Sequence, residues 1–327
     1  MNNLPVICPF STASIKHLSA LAINAAQQAG HYIAHYPREQ LKVSHKSSSL
    51  SLSAQVVTEV DIHCEKLILS QLNSTVEQYQ LAILAEENTQ QTRLDNHPRL
   101  TRQAFWAIDP LDGTLPFIEG SEGYAVSIGL VNQQGQPLIG VVYLPFSGIL
   151  YHAYFNPELQ DYQSFKQHQS GKLQQNVTQQ GLMTAPADYK PSQLLFYCDR
   201  SSVNLDYFNS LKAQLSALAT QLAYDKFQVI SSAGAVVNAC SVLEGSDAIY
   251  LKLAKRADGG GSIWDFAATA CIALGSHAWV SDSFGQALAL NQQGNSFMNH
   301  RGVLYASNSQ LAKHILKLDL NRQFSDV

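Results

Sequence analysis

The stretch that decides the fold is Trp106-Ala-Ile-Asp109-Pro-Leu111-Asp112-Gly-Thr114, where two carboxylates, a turn and a hydroxyl follow one another. The apolar residues before Asp109 predict a buried strand that stops at Asp109, and Thr114 can open a helix. Two carboxylates this close repel unless a hard cation or a proton lies between them. Backbone N–H groups at a helix start favour a phosphate. The stretch therefore indicates a cation site beside an anion site, although Asp-Pro and Asp-Gly pairs also occur in ordinary turns.

Three further segments carry acids beside predicted strands or helices. Glu86 and Glu87 follow a short apolar run, at the carboxyl end of a predicted strand where ligand-binding residues gather in α/β sheets. Asp61 lies near the start of a predicted amphipathic helix, and Asp265 lies in the first turn of a helix rich in small residues. Each acid also has an ordinary structural explanation, because a helix dipole favours a carboxylate near its N-terminus.

Together the four segments resemble the lithium-sensitive, magnesium-dependent phosphatase superfamily of inositol monophosphatases, bisphosphate nucleotidases and related sugar phosphatases. Its members carry an acid pair after a strand, then Asp-Pro-(Ile/Leu)-Asp-Gly-Thr, and then Trp-Asp followed by small residues. The matching segments here are Glu86-Glu87, residues 109–114 and Trp264-Asp265-Phe-Ala-Ala. The resemblance covers residues 55–150 and 230–290, in the family's order.

The resemblance implies a role for each motif residue. The groups that would bind two or three Mg²⁺ ions are Glu86, Asp109, the Leu111 carbonyl, Asp112 and Asp265, with Glu87 the less favoured member of its pair. Asp61 and Thr114 would orient the attacking water, and Gly113 and Thr114 would offer backbone N–H groups to the phosphate. The implied reaction is hydrolysis of a phosphate monoester by metal-activated water, with inhibition by Li⁺. Phosphoryl transfer depends mainly on positioning and charge neutralisation, which two metal ions can provide.

The sequence leaves the substrate open. The segment around Lys252 resembles the 3′(2′),5′-bisphosphate nucleotidases, and Lys252, Lys255 and Arg256 could balance a second phosphate. Asp258 instead corresponds to an acid that contacts ring hydroxyls in the inositol phosphatases, and Ser232 could lend an N–H or hydroxyl group to either substrate. We expect hydrolysis of 3′-phosphoadenosine 5′-phosphate to AMP and phosphate. The alternatives are inositol 1-phosphate or another sugar phosphate, and a metal- or phosphate-binding relative without activity.

Composition excludes several other classes of protein. The chain has 327 residues, a net charge of −4 and a pI near 6.2, so nothing marks affinity for a nucleic-acid polymer. No apolar run approaches the roughly 18–20 residues of a membrane helix, and the N-terminus lacks the pattern of a signal peptide. The five cysteines are scattered, which is typical of reduced thiols in a cytoplasm. A small phosphate monoester is the expected partner, and a homodimer is usual for the relatives.

The predicted elements divide the chain into an N-terminal α+β portion (1–185) and a C-terminal α/β portion (186–327). Helices are predicted at 17–36, 59–72 and 204–222. Strands are predicted at 80–85, 105–108, 124–131, 138–144, 193–198 and 226–230. The polar, glutamine-rich segment 156–183 is expected to form an irregular surface hairpin or excursion. The resemblance implies an α+β fold, an αβαβα layered sandwich with the metal site where the two portions meet.

Overall fold

The computed structural model describes residues 5–45, 56–89, 94–168, 173–175, 192–244 and 247–324. Within these ranges the chain forms two large β-sheets and a two-stranded ribbon. The strands are β1 (Val43–His45), β2 (Val56–Thr58), β3 (Leu81–Ala85), β4 (Ala104–Asp112), β5 (Ala125–Asn132), β6 (Pro137–Leu144), β7 (Ile149–Asn156), β8 (Asp161–His168), β9 (Leu173–Gln175), β10 (Gln193–Tyr197), β11 (Lys226–Ile230), β12 (Asp247–Lys252), β13 (Trp279–Ser281) and β14 (Val303–Ala306).

The longest helices begin at polar side chains that cap their first turns. The α-helices are α1 (Thr12–His35), α2 (Glu59–Gln78), α3 (Glu86–Thr89), α4 (Thr114–Ile118), α5 (Phe208–Gln221), α6 (Ala235–Ser241), α7 (Ile263–Gly275), α8 (Ser309–Lys317) and α9 (Leu320–Phe324). Ser11 accepts a hydrogen bond from the Ser14 N–H at the start of α1. Thr58 and Asp61 form a capping box at the start of α2, which satisfies N–H groups that the helix itself leaves without partners.

The two sheets differ in strand direction. The larger has the order β3-β4-β5-β6-β7-β8-β9, and only β3 and β4 in it are parallel. The smaller has the order β11-β10-β12-β14-β13, with a parallel half (β11, β10, β12) and antiparallel pairings at β14. The parallel pair β3–β4 brings the residues that follow both strands to one edge of the larger sheet.

The sheets and helices alternate in five layers. Helices α1 and α2 cover one face of the larger sheet, burying Leu18, Ile68 and Trp106 completely. Helices α6 and α7 fill the space between the sheets, where Ala268 and Ile272 are fully buried. Helices α5 and α8 cover the outer face of the smaller sheet. The predicted αβαβα layered sandwich of the α+β class is therefore confirmed.

The predicted elements are found with shifted bounds. The strands expected at 193–198 and 226–230 are β10 and β11, whereas α2 runs beyond the predicted end at residue 72 to Gln78. In the segment 156–183, expected to be an irregular surface hairpin or excursion, β8 pairs with β7 as a regular hairpin that continues the larger sheet, and residues 169–172 and 176–183 lie outside the described residues. The boundary expected between residues 185 and 186 lies outside the described residues. Across the described part of the chain, no helix combines the length and apolarity needed to span a bilayer.

Candidate metal centre

Asp109 and Asp112 lie on the last residues of β4, whose nine residues are all buried. The prediction that the strand stops at Asp109 was wrong, since β4 runs to Asp112 with an irregularity in its pairing to β5 between the two acids. The Asp109 Oδ1 atom accepts a hydrogen bond from the Leu111 N–H at 3.0 Å. This local irregularity lets both carboxylates face the gap between the sheets instead of alternating across the sheet.

Asp265 approaches the same gap from the first turn of α7. Ser262 and Asp265 form a capping box, in which the Ser262 N–H donates to Asp265 Oδ2 at 2.7 Å. One carboxylate oxygen from each of Asp109, Asp112 and Asp265 lies within 4.8 Å of the other two. The structure thus brings together three acids, one of which is far from the other two in the sequence.

Burial and mutual repulsion disfavour charge on these three groups. Burial, and next the charge of Glu86, raises the pKa of Asp109 well above its usual value. Burial, and next the charge of Asp265, does the same for the pKa of Asp112. Burial also raises the pKa of Asp265 to about 6. Carboxylates in this state are stabilised by protons or by a cation held between them.

Glu86 stands at the carboxyl end of β3, in the short helix α3, and is partly buried. Its charge raises the pKa of Asp61, Asp109 and Asp112, so it lies near the cluster. The N–H of the next residue, Glu87, donates to Glu65 Oε2 at 2.8 Å. Glu65 in α2 therefore fixes the turn that carries Glu86, a contact for which no local sequence pattern is a signal.

Asp61 and Thr114 form a hydrogen-bonded pair beside the cluster. The Thr114 hydroxyl lies 3.1 Å from Asp61 Oδ1 and 3.2 Å from the Leu111 carbonyl. Thr58 donates to Asp61 Oδ2 through its N–H and its hydroxyl, at 2.8 and 2.5 Å. Burial raises the pKa of Asp61 to about 6 despite these donors. The carboxylate is thus held rigidly, with Oδ1 directed at Thr114.

Gly113 links the acids to α4 and adopts a left-handed conformation, with φ at 81°. A Cβ atom there would lie 2.4 Å from the Gly123 carbonyl oxygen. Only glycine combines this backbone conformation with such close approach, so the turn between Asp112 and Thr114 depends on it.

Asp112 also contacts the N-terminus of α6. Its two oxygens accept hydrogen bonds from the Ala235 and Val236 N–H groups at 3.1 and 2.9 Å. This approach requires Gly234, because a Cβ atom there would lie 2.3 Å from Asp112 Oδ2. Sequence reasoning missed the role of Gly234, since only the folded chain brings residue 112 next to it.

We predict that Gly234→Ala displaces the Asp112 carboxylate and raises the Mg²⁺ concentration needed for half-maximal phosphate release. Changes in groups that orient metal ligands typically cost about 10- to 100-fold in metal affinity or activity. A Mg²⁺ titration of the phosphatase rate measures the effect. Gly294→Ala is a control for general destabilisation away from the cluster, since its φ of 92° disfavours alanine while the nearest atom to a Cβ there is 3.8 Å away. An unchanged Mg²⁺ requirement in Gly234→Ala would show that the contact with α6 does not position Asp112.

The residues predicted to contact the substrate are placed differently from one another. Ser232 is exposed, and its carbonyl oxygen lies 3.0 Å from a Cβ atom built at Gly123. Lys252 forms an ion pair with Asp199. The side chain of Asp258 is 60% exposed and lies 4.0 Å from His300 Nε2. Lys252 lies near the cluster, since its charge acts on Asp265. Ser232 lies two residues before Gly234, which contacts Asp112, whereas Asp258 is mostly exposed.

Comparison with known proteins identifies relatives of this chain. The sequence profile of the inositol monophosphatase family matches residues 14–321. The chain belongs to the inositol monophosphatase family. It is therefore a metal-dependent phosphatase.

Individual relatives carry two kinds of name. The "3′(2′),5′-bisphosphate nucleotidase CysQ" of Aggregatibacter actinomycetemcomitans is 27% identical over 288 residues, covering 88% of this chain and 92% of the relative. "Inositol monophosphatase 2" of Solanum lycopersicum is 34% identical over 135 residues, covering 41% of this chain and 47% of the relative. The crystal structure of CysQ from Bacteroides thetaiotaomicron superimposes with a TM-score of 0.60 at 24% identity, covering 89% and 97% of the two chains. That likeness supports the fold.

Proposed function

We propose that the protein is a Mg²⁺-dependent phosphomonoesterase that hydrolyses 3′-phosphoadenosine 5′-phosphate to AMP and phosphate. The observation that carries the proposal is the cluster of Asp109, Asp112 and Asp265, three buried carboxylates with oxygens within 4.8 Å of one another. Such a cluster is costly without a cation, and a phosphatase of this family uses a cation.

The donor set fits Mg²⁺. The three clustered groups are all carboxylates, and hard oxygen donors suit Mg²⁺ better than they suit the softer transition metals. We assign metal binding to Glu86, Asp109, the Leu111 carbonyl, Asp112 and Asp265. When bound, Mg²⁺ would neutralise charge on the phosphate. It would also lower the pKa of the attacking water, so that the water is a more effective nucleophile near neutral pH.

The pair of Thr114 and Asp61 can position and deprotonate a water molecule. Because the Thr114 hydroxyl donates to Asp61 Oδ1, its lone pairs remain to accept a hydrogen bond from water. Asp61 is held by Thr58 on its other oxygen, so Oδ1 is the atom that would receive the proton by way of Thr114. We assign both residues to orienting the attacking water.

The phosphate would lie against the turn that Gly113 forms. The backbone N–H groups of Gly113 and Thr114 stand where β4 gives way to α4, and N–H groups at a helix start attract anions. Ser232, on the loop that touches Gly123, would contact the substrate from the other side.

The relatives support a nucleotide substrate. The CysQ proteins match most of this chain, whereas the tomato inositol monophosphatase matches a shorter segment at higher identity. That local identity is the observation that favours inositol 1-phosphate as a second candidate. The side chain of Asp258 is 60% exposed and therefore accessible to a ring hydroxyl, so it does not separate the two candidates.

Phosphate release with Mg²⁺ from 3′-phosphoadenosine 5′-phosphate, inositol 1-phosphate and fructose 1,6-bisphosphate, measured side by side, tests the proposal. We expect the highest kcat/KM for the nucleotide. A preference for inositol phosphate would select the second candidate. Absence of turnover with all three would contradict the proposed activity.

We predict that millimolar Li⁺ inhibits the reaction, as the family resemblance implies. A small cation of single charge in one of the carboxylate positions would neutralise less of the phosphate charge than Mg²⁺ does. Rates in LiCl compared with equal concentrations of NaCl separate this effect from ionic strength. Equal rates in the two salts would contradict the prediction.

A further inference from the structure

A largely buried ion pair lies beside the carboxylate cluster. Asp199 and Lys252 are in direct contact, and their side chains are 19% and 12% exposed. The Tyr250 hydroxyl donates to Asp199 Oδ1 at 2.7 Å. Tyr250 and Lys252 are two residues apart on β12 and therefore share a face of the strand, so the strand presents both donors to one carboxylate.

The pair lies near Asp112 and Asp265, since Asp199 interacts electrostatically with Asp112 and Lys252 with Asp265. The Lys252 Nζ atom lies 5.8 Å from the centroid of the Phe266 ring, which directly follows Asp265. On the other flank, the Cys198 carbonyl accepts a hydrogen bond from Asn238 Nδ2 at 3.4 Å. Asn238 belongs to α6, the helix whose first N–H groups hold Asp112. The ion pair is thus tied to the surroundings of both metal-site acids.

The loop before α7 brings a second lysine, Lys255, to the same place. A Cβ atom built at Gly260 would lie 3.2 Å from Lys255 Nζ and 3.8 Å from Lys252 Cε. A leaving group that carries a second phosphate would approach these lysines. The Asp199 carboxylate would oppose binding of that phosphate, because Asp199 lies next to Lys252 and already compensates its charge.

A leaving group that carries hydroxyls meets a different environment. Asp199 uses only part of its accepting capacity on Tyr250 and Lys252, since an ionised carboxylate offers about four acceptor positions. It can therefore accept a hydrogen bond from a sugar or polyol hydroxyl. A buried ion pair adds little net stability, which is consistent with a role in selecting the ligand.

We propose that Asp199 is a specificity-determining residue that, through its ion pair with Lys252, lets the site accept phosphate monoesters with a neutral, hydroxyl-bearing leaving group as well as those with a second phosphate. This inference rests on the proposed phosphatase function and defines its substrate class. The preference for a second phosphate then depends on how far the negative charge of Asp199 offsets the positive charges of Lys252 and Lys255.

The test compares two substrates in one variant. Asp199→Asn removes the carboxylate charge but keeps an oxygen that can accept from Tyr250. We expect the ratio of kcat/KM for 3′-phosphoadenosine 5′-phosphate to that for inositol 1-phosphate to rise about tenfold, since close charge pairs of low exposure couple by about 1.4 kcal/mol or more. Partial misfolding lowers both rates equally and leaves the ratio unchanged.

A binding measurement gives a second readout that does not depend on turnover. AMP carries the phosphate that would remain on the leaving group, and calorimetry should show about tenfold tighter binding of AMP to Asp199→Asn. Tyr250→Phe is the matched control, because it removes the neighbouring hydrogen bond and leaves the Asp199 charge in place.

The outcomes separate this inference from the proposed function. Turnover with an unchanged substrate ratio and unchanged AMP binding in Asp199→Asn would overturn the role of Asp199 and leave the phosphatase activity standing. A shift of equal size in Tyr250→Phe would assign the effect to the hydrogen bond and overturn the charge argument. If no phosphomonoester is hydrolysed, the proposed function fails, and AMP binding still decides the role of Asp199.

Discussion

Asp109→Asn is expected to abolish phosphate release and at the same time to stabilise the metal-free protein above pH 7. Asp109 is 2% exposed and is one of the three acids of the cluster. An amide in its place cannot supply the anionic oxygen that a cation needs. Since a bound metal contributes several kcal/mol to the transition state, kcat/KM should fall on the order of a thousandfold.

The stability of the same variant should change in the opposite direction. The new amide can still accept the Leu111 N–H through its oxygen, and its NH₂ group can donate to Asp265 where a carboxylate would repel. Without metal, removal of one buried charge from the cluster should raise the free energy of unfolding by about 1–3 kcal/mol. Urea denaturation in the presence of a chelator measures this change.

Asp282→Asn is the control for the chemical change itself. Asp282 is also 2% exposed, but it accepts hydrogen bonds from the Phe284 and Gln286 N–H groups and pairs with Arg301. The same substitution there should destabilise the protein and leave the activity of the folded molecules intact. If Asp109→Asn loses stability as Asp282→Asn does, the acids of the cluster are satisfied without metal and the proposed centre is wrong.

The local parts of the site could be predicted from the sequence. The strand that leads to Asp109, the helix start at Thr114 and the helical first turn at Asp265 each follow from an apolar run or a capping pattern within a few residues. The layered architecture followed from the family resemblance, because periodicity alone does not say which helix lies between two sheets. These short-range signals, taken with the resemblance, were sufficient to name the three clustered acids.

The contacts that tune the site could not be predicted in this way. Gly234 shapes the approach of Asp112 from a distant part of the sequence, and Asp199 compensates the charge of Lys252 from outside its strand. Neither residue stands in a local pattern that indicates chemistry. From the sequence alone, Lys252 is a candidate partner for a second phosphate. In the structure Lys252 pairs with Asp199, which reduces the attraction expected between this lysine and a phosphate.

The end of β4 shows how a tertiary contact overrides a local signal. Asp-Pro after an apolar run favours a turn, yet the strand continues to Asp112. Pairing with β5 is maintained at Asp112, and the Asp112 carboxylate is anchored on α6. The strand extends because these contacts hold its last residue in place.

Metal-free protein should lose stability as the pH rises, and Mg²⁺ should reverse the trend. Burial raises the pKa of Asp61 and of Asp265 to about 6, from an ordinary value of 3.8. A carboxyl group whose pKa is higher in the folded state contributes stability that is complete below the unfolded pKa. That contribution is lost as the pH rises through the folded pKa. The loss therefore begins above about pH 4 and continues past about pH 6, and a shift of about two units corresponds to roughly 3 kcal/mol for one group.

Bound Mg²⁺ requires the ionised acids, so its stabilising effect should grow over the same range. Urea denaturation between about pH 5 and pH 8, with chelator and with Mg²⁺, should give two curves that diverge as the pH increases. The partly buried His152 acts in the opposite sense, because desolvation lowers its pKa to about 4. Its contribution to stability is lost as the pH falls from about 6.5. Asp109→Asn retains His152 and removes one acid, so its metal-free curve should fall less steeply than that of the unaltered protein. Parallel curves with and without Mg²⁺ would show that these acids do not hold the ion, whatever the activity assay finds.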